Sequence, residues 1–359
     1  MKKYFFLGIC VSLFMSACGT GDSPNAGDHN LSVLPDTLYI DQFSEVITTE
    51  SGLLATPVGM VPVGDDNFAI LDGNLHRVLV FDNSGDKKFE FGGSGSGPGE
   101  WEMFPSGLNY TDNTFMVFNS GRFFFNLYDN EGDFISSSPA SRFMSVSNFR
   151  LLPDKKLLVN TAGREDALAI VIDLSNESEI IERIGTPTGE IGDMRDIESE
   201  RLALAEGTLK PYHKNSAIVE SGDGGYWLFM NGLGELRFYD SDGELKLSKS
   251  IPESIKEPIF DMVVRRNRDD ARPHTVFNLS YALVFKKFGD KLYVLTTAYP
   301  EVEDIYQNLL VYSTDGELVQ RYLIMRDENE SMLYDFFITA NNEMVALEVM
   351  NSRVLKTNL

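Results

Sequence analysis

Apolar and polar positions alternate along most of the chain after about residue 35, and short polar turns interrupt the alternation. Five segments consist of an apolar strand, a polar turn and a second strand; VLVFDNSGDKKFEF, FNLYDNEGDFISS and LRFYDSDGELKLS are three of them. This pattern is typical of a β-hairpin with a short turn. A further short apolar strand, such as NFAILD or GYWLFM, precedes each hairpin. The sequence therefore predicts repeated four-stranded units.

The repeat has a recognisable period. Six of the preceding strands can be counted, with centres at Ile70, Met116, Leu158, Leu228, Val294 and Ala346. Their spacings are 46, 42, 70, 66 and 52 residues. Repeats of about 40–50 residues with four strands each are typical of propeller blades. We predict an all-β fold over residues 35–359, a six-bladed β-propeller with four-stranded antiparallel blades.

The chain ends predict how the ring closes. The last blade has three strands at the C-terminus, MLYDFFIT, EMVALEV and RVLKTN. We expect TLYID, near residues 36–41, to supply its fourth strand. Pairing the N- and C-terminal strands would cover the sheet edges that an open ring leaves exposed.

The N-terminal segment MKKYFFLGICVSLFMSAC has two lysines, an apolar run and small residues before Cys18. This layout predicts a signal peptide over residues 1–17, too short to span a membrane as a helix. The residues ending at Cys18 resemble a bacterial lipobox, which implies lipid attachment at Cys18. Plain secretion with a free thiol at Cys18 is the alternative. Residues 18–34 are small and polar, as expected of a flexible tether. Gly19 follows the cysteine in place of the Asp that favours inner-membrane retention, so we expect an outer-membrane lipoprotein of the cell envelope.

The charge restricts the classes of partner. The formal net charge is −23, and removal of residues 1–17 leaves 29 basic and 54 acidic residues, or −25. Nucleic acids and anionic lipid head groups are bound by clustered Lys and Arg, so neither is an expected partner. Cys10 lies in the segment to be removed, so no internal disulfide is expected. We expect a monomer.

One glycine-rich segment resembles a known repeat. FDNSGDKKFEFGGSGSGPGEWEMFPSGL resembles the NHL-repeat pattern, in which a GxGPGEF segment joins one blade to the next, and DGNLHRVLVFD resembles the strand pair of that family. With the lipobox, the chain is similar to six-bladed β-propeller lipoproteins of Bacteroidetes-type bacteria. The similarity is sharp over residues 57–135 and implies the fold rather than a particular activity.

Long loops are predicted on one face of the ring only. The turns within each hairpin are short, whereas insertions occur at about residues 185–215, 251–274 and 298–308. Loops longer than about a dozen residues in a compact domain are usually functional. GDMRDIESERLALAEG in the first insertion has a helix-forming composition. The helix could cap the channel mouth or pack on the rim.

The segment from Phe91 to Trp101 holds five glycines and one proline in eleven residues. It lacks the glycine spacing of a dinucleotide site and the lysine of a Walker loop. We interpret it as the joint between two blades, where glycine permits positive φ. Glu100 and Trp101 are candidate ligand-binding residues near the face with the insertions; the alternative for Trp101 is packing between blades.

Two parts of the sequence contain residue types that bind metals. The turns DSDGE and DNEGD are acidic but lack the spacing of a calcium loop, and turn geometry alone favours these residues. His76, His213 and His274 are predicted on the same face, and three imidazoles with an open fourth position suit catalytic zinc. A propeller lyase of the NHL-like families has such a site. Individual structural histidines are the alternative. No other cofactor is predicted.

Arginine is concentrated in the segment VVRRNRDDARPH, which contains Arg265, Arg266, Arg268 and Arg272. Such a cluster could pair with the neighbouring Asp269 and Asp270, or with the acidic body of the ring. It could also bind a carboxylate, a phosphate or an acidic partner.

The sequence contains no nucleophile motif of the kind found in hydrolases. The leading hypothesis is a membrane-tethered binding or scaffold propeller that recognises a protein or glycan-type ligand on the face with the insertions. The competing hypothesis is a metal-dependent hydrolase or lyase, lactonase-like or amidating-lyase-like, with its site at the mouth of the central channel.

Overall fold

The computed structural model describes residues 35–140, 148–191, 196–269, 275–299, 306–325 and 332–359. Cys18, the signal peptide and the tether lie outside these residues, as do Arg272 and His274. In the part of the chain so described, no helix is long and apolar enough to cross a membrane.

The alternating segments form six sheets, five with four strands and one with four strands plus an added fifth. Two strands precede the first of them, β1 (Thr37–Ile40) and β2 (Ser44–Ile47). Blade 1 contains β3 (Pro57–Val63), β4 (Asn67–Asp72), β5 (Arg77–Asp82) and β6 (Lys87–Gly92). Blade 2 contains β7 (Ser106–Thr111), β8 (Thr114–Asn119), β9 (Phe124–Tyr128) and β10 (Phe134–Pro139). Blade 3 contains β11 (Phe149–Leu152), β12 (Lys156–Asn160), β13 (Ala169–Asp173) and β14 (Glu179–Ile184).

The other three blades follow the same order. Blade 4 contains β15 (Ala217–Gly222), β16 (Gly225–Met230), β17 (Glu235–Asp240) and β18 (Leu245–Ser250). Blade 5 contains β19 (Ala282–Phe288), β20 (Lys291–Thr296), β21 (Gln307–Ser313) and β22 (Leu318–Ile324). Blade 6 contains β23 (Asp335–Ile338), β24 (Glu343–Glu348) and β25 (Arg353–Asn358). Short 3₁₀ turns lie at Thr49–Ser51, Pro153–Lys155 and Arg164–Asp166.

The sheets are arranged as a ring. The first strand of each blade contacts the first strand of the next, in the order β3, β7, β11, β15, β19, β23 and back to β3. The second and third strands are buried on both faces, because each sheet packs between two neighbours; β4 and β8 are buried over nearly their whole length. The outermost strands are mostly exposed, as in β18. The predicted six-bladed β-propeller is therefore confirmed.

The strand that closes the ring differs from the predicted one. Residues 44–47 (β2), not 37–40, form the fourth strand of blade 6, antiparallel to β25. The segment predicted for this role, β1, instead pairs in parallel with β22 as a fifth strand of blade 5. Each of the two strands buries a single isoleucine, Ile40 or Ile47. Such short strands carry no pattern that distinguishes one sheet edge from its neighbour, so the alternation in the sequence could not assign them.

The two longest insertions between blades are helical. The first contains α1 (Ile197–Ala205), as expected from its composition, and a short helix, α2 (Pro211–Asn215). The second contains α3 (Glu253–Asp269), which the sequence analysis did not predict. The two long helices contact each other, and Arg201 Nη1 on α1 donates a hydrogen bond of 2.8 Å to Asn267 O on α3. Both insertions therefore lie on the same face of the ring.

The helices are anchored in the hydrophobic core between blades 4 and 5. Leu204 of α1 and Ile259 and Met262 of α3 are buried in one cluster with Trp227 of blade 4 and Phe285 of blade 5. They therefore form part of the packed ring and extend its surface beside these two blades.

Candidate functional site

We call the face that carries the loops between second and third strands, and between successive blades, the insertion face. The opposite face, which carries the hairpin turns inside each blade, is the turn face. Large exposed apolar side chains are distributed unequally between the two. Those on the insertion face are Met103, Phe104, Leu202, Tyr306, Met325, Tyr334 and Met350. The remaining ones in the described part of the chain lie on outer strands, and none lies in a turn of the turn face.

Three aspartates of the turn face form hydrogen bonds within their own turns. Asp82 Oδ1 accepts hydrogen bonds from Ser84 N at 3.0 Å and Asp86 N at 3.1 Å. Asp129 and Asp240 make the same pair of bonds to the residues two and four positions later. Lys88 beside Asp82 is the main reason that the pKa of this carboxyl lies well below its ordinary value. The hairpin geometry thus accounts for these acidic turns.

The glycine-rich segment is an ordered loop between β6 and β7. Trp101 N donates to Gly93 O at 2.8 Å, and Gly95 N donates to Trp101 O at 3.2 Å, so the loop folds back on itself. Glu100 Oε2 accepts Gly97 N at 2.8 Å. A Cβ at residue 95 would lie 2.1 Å from this carboxylate oxygen, so any side chain there would displace the Glu100 carboxylate from its place against the loop.

Trp101 anchors this loop in the core. It is fully buried, and its Nε1 donates a hydrogen bond of 2.9 Å to the hydroxyl of Tyr128. That hydroxyl donates to Gly99 O at 3.0 Å, and burial raises the pKa of Tyr128 to about 12. Trp101 is therefore not accessible as a platform for a ligand; it packs between blades, which was the alternative for this residue.

A cavity of about 310 Å³ lies between this loop and the outer strands of blade 2. Glu100, an exposed residue proposed from the sequence as a ligand-binding candidate, lies on its wall. The other side chains important here are Asn119, Arg122, Phe124, Asn126 and Phe134. These five could not be identified from the sequence, because they come from three strands, β8, β9 and β10, and from the loop between the first two, which only the folded blade brings together.

The arginines of α3 have different environments. Arg265 and Arg268 are exposed near the C-terminal end of the helix. The guanidinium of Arg266 lies over two aromatic rings, 4.7 Å from the centroid of Tyr299 and 5.2 Å from that of Phe277. Arg266 is therefore committed to a cation–π contact, whereas Arg265 and Arg268 are available on the surface.

His76 and His213, two of the three histidines predicted as metal ligands, have different environments. His76, on the loop between β4 and β5, is partly exposed, and its Nδ1 lies 3.2 Å from Asn74 O. His213, on α2, is buried, and its Nε2 lies 2.6 Å from Glu200 Oε1 on α1. Burial lowers the pKa of His213, and the Glu200 carboxylate partly opposes this effect. His274 lies outside the described residues.

A metal centre needs several ligands within reach of one ion. No group of three or more His, Cys, Asp or Glu side chains in the described ranges is arranged to hold a metal. The contact of His213 with Glu200 instead joins α1 to α2 and so belongs to the packing of the insertion.

The inner strands carry a series of polar contacts that the sequence analysis did not identify. Lys286 of β19 pairs with Asp335 of β23 at 2.5 Å, and Arg150 of β11 pairs with the buried Glu220 of β15 at 3.0 Å. Asn109 Oδ1 of β7 accepts Leu151 N of β11 at 3.1 Å. Each contact joins the first strands of adjacent blades. A charged residue within the first strand of a blade is visible in the sequence. The sequence does not show which neighbouring blade holds its partner.

Comparison with solved structures supports the fold. An exported protein of Bacteroides fragilis is similar, with 16% identity over 86% of this chain and 87% of its own and a TM-score of 0.53. Virginiamycin B lyase of Staphylococcus aureus has 10% identity over 89% and 88%, with a TM-score of 0.49. The calcium-binding regucalcin of Agrobacterium tumefaciens has 8% identity over 90% and 96%, with a TM-score of 0.49.

No protein-family model matches the chain, and no curated protein matches it. At 16% identity, the similarity to the exported protein supports the fold alone. The similarity to NHL repeats rests on the residues quoted above.

Proposed function

We propose that this chain is a binding propeller that recognises a partner protein through the insertion face. The observation that carries the proposal is the unequal distribution of exposed apolar side chains: among the described residues, seven large ones lie on this face and none lies in a turn of the turn face. Methionine and aromatic residues are enriched at protein interfaces. The turn face has the opposite character, with acidic turns whose carboxylates are used locally.

The helices of the insertions enlarge this face. Because α1 and α3 are anchored in the core between blades 4 and 5, they present a surface that is already ordered before a partner arrives. Preorganised surface lowers the entropic cost of association. Arg265 and Arg268 add positive charge to a protein with a formal net charge of −23, which favours an acidic contact region on the partner.

The proposal includes a location. A lipid at Cys18 and the tether over residues 18–34 would hold the propeller at the outer membrane of the cell envelope. Metabolic labelling with a fatty-acid analogue should modify the wild-type protein and not a Cys18→Ser variant, and the variant should leave the membrane fraction. Equal labelling of both proteins would contradict the anchor but not the binding surface.

The binding surface is tested by site-specific photo-crosslinking in cells that produce the protein. A benzophenone amino acid is placed at Phe104 or Met350 on the insertion face, and at Asp223 in a turn of the turn face as the matched control. We expect a discrete covalent adduct from the first two positions and none from Asp223. Adducts of equal yield from both faces, or none from Phe104 and Met350, would contradict the proposal.

The competing class, a metal-dependent hydrolase or lyase, makes a different prediction. Purified protein would retain a divalent metal, and chelation would abolish an activity together with the metal. That result would overturn a function based on binding alone.

A further inference from the structure

The cavity beside blade 2 has features of a small-molecule site and is independent of the proposed protein-binding function. It lies beneath residues 96–100 of the glycine-rich loop and above β9 and β10. Its volume, about 310 Å³, is at the lower end of the range for small-molecule pockets. It is therefore large enough for a ligand of one sugar ring.

The walls of the cavity are held in place before any ligand arrives. The loop closes on itself through the bonds between Trp101 and Gly93, and Tyr128 holds it from below through Gly99 O. On the floor, Asn126 Oδ1 accepts a hydrogen bond of 2.8 Å from Ser137 Oγ. Since these contacts already order the loop and floor, little conformational entropy would be lost on binding.

One buried polar atom at the cavity has no hydrogen-bond partner among the described residues. Asn119 is only 2% exposed, and its Oδ1 makes no hydrogen bond among the described residues. Its Nδ2 makes only a long contact of 3.5 Å, to Glu100 O. Leaving a buried acceptor unsatisfied costs about 1–3 kcal/mol, so native proteins rarely keep one without a reason.

Asn160, the equivalent residue of blade 3, shows that an amide oxygen at this position is not generally without a hydrogen bond. Asn160 ends β12 as Asn119 ends β8. Asn160 Oδ1 accepts Ala162 N at 2.5 Å, and its Nδ2 donates to Ala217 O at 2.5 Å. The same residue type is thus fully used in blade 3 and incompletely used in blade 2, where it lines the cavity.

The remaining lining defines the chemistry of an occupant. Glu100 offers carboxylate acceptors. Arg122 lies at the mouth, where Nη1 bonds to Ser96 O at 3.2 Å and Nη2 pairs with Glu102 Oε1 at 2.5 Å, and its other N–H groups can donate to a ligand. Phe124 and Phe134 supply aromatic surface. Asn119 Oδ1 requires a donor. A ring with several hydroxyl groups and an apolar C–H face satisfies all four requirements, because each hydroxyl can both donate and accept.

We propose that this cavity binds a hydroxylated ligand of monosaccharide size, with a hydroxyl donating to Asn119 Oδ1 and the ring against Phe124 and Phe134. The sugar can be free or can be the terminal residue of a glycan; both present the same ring to the cavity.

The test combines ligand titration with two asparagine variants. Purified protein is titrated with neutral hexoses, N-acetylhexosamines and hexuronic acids, and separately with short oligosaccharides ending in each, by calorimetry and thermal unfolding. We expect one class to bind and to raise the unfolding temperature of the wild type. Binding by Asn119→Leu should be weaker by at least about tenfold, the loss expected for one hydrogen bond to a buried group. Arg122→Gln, at the exposed mouth, should also weaken binding. This second variant still tests the site if Asn119→Leu fails to fold.

Asn160→Leu is the matched control and separates a ligand role from a structural one. In the absence of sugar, Asn119→Leu should unfold at the wild-type temperature or above, since it removes an unsatisfied buried atom. Asn160→Leu should unfold at a lower temperature because it breaks two hydrogen bonds, yet it should retain the wild-type affinity for sugar.

Three results would overturn the proposal. They are no binding of any sugar or oligosaccharide to the wild type, unchanged affinity in Asn119→Leu, and destabilisation of Asn119→Leu equal to that of Asn160→Leu. Binding of the free sugar, or of the oligosaccharide alone, supports the proposal and identifies the source of the ring. None of these results affects the crosslinking test of the insertion face.

Discussion

Lys286 and Asp335 form an ion pair between the inner strands of blades 5 and 6, with Lys286 Nζ 2.5 Å from Asp335 Oδ1. Asp335 Oδ2 also accepts Met60 N of blade 1 at 2.8 Å. One carboxylate therefore connects three blades at the place where the ring closes. Both charged side chains are largely buried, with exposures of 13% and 15%.

Asp335→Ala is expected to destabilise the protein by about 3 kcal/mol, because breaking a buried pair leaves the other charge uncompensated. Denaturant unfolding measures the change. Asp223→Ala is the matched control: Asp223 pairs with Lys287 at 3.2 Å but is 91% exposed, so its loss should have little effect. Equal effects of the two substitutions would show that the Lys286–Asp335 pair is no more important than a surface pair.

Tyr128→Phe should lower the free energy of unfolding by about 1–3 kcal/mol, since it leaves Trp101 Nε1 and Gly99 O without their buried partner. Tyr110→Phe in the same blade provides the comparison. The hydroxyl of Tyr110 bonds only to Asn113 Oδ1 at 3.2 Å, in an exposed turn, among the described residues. Thermal unfolding of both variants gives the result, and a Tyr128→Phe protein as stable as the Tyr110→Phe protein would contradict the anchoring role.

Stability should fall below about pH 6.5 because of His213. Burial lowers the pKa of His213 in the folded state from its ordinary value of 6.5, so the unfolded chain binds the proton more strongly. The stability that the neutral, buried His213 contributes is present above about pH 6.5 and is lost as the pH falls through the lower pKa of the folded state. His213→Gln should therefore lose less stability than the wild type between about pH 7.5 and pH 5.5.

The control for this prediction is His76→Gln, which removes a partly exposed imidazole. Denaturant unfolding of the wild type and of both variants at the two pH values gives the result. An undiminished pH dependence in His213→Gln would assign the effect to other groups.

Ile259→Ala should lower the free energy of unfolding by about 2–5 kcal/mol, the usual effect of removing a buried aliphatic side chain. Ile259 lies in the same core cluster as residues of blades 4 and 5, so α3 should unfold together with the ring. Arg265→Ala, on the exposed side of the same helix, should change little. Faster proteolysis within residues 253–269 with an unchanged unfolding midpoint would instead indicate a helix that detaches on its own.

The sequence of helix α3 contains the apolar spacing of a helix together with residues that disfavour one. Its buried residues, Ile255, Ile259, Met262 and Val263, follow the spacing of one helical face. The same segment contains Pro258 and many charged residues. A proline in the interior of a segment normally argues against a helix, so the local sequence gives opposing signals. Here the burial of one face between blades 4 and 5 outweighs the local preference.

The binding surfaces were predictable only in part. Loop lengths indicated which face would be extended, and Glu100 was identified from the glycine-rich segment. Asn119 and Arg122 were not, because nothing in their local sequence differs from other turns and strand ends. They became candidates only when the folded loop placed them beside the same cavity.

The sequence by itself determined the number of blades and the positions of their hairpins. Strand alternation and turn chemistry are local properties, and each depends on residues that are close together in the chain. Tertiary structure decided which strand closed the ring and which polar residues found partners. Asn119 and Asn160 occupy the same place in their blades, yet Asn160 bonds to Ala217, which is 57 residues away, while Asn119 Oδ1 bonds to no described residue. Such partners depend on how neighbouring blades pack, so only the closed ring can assign them.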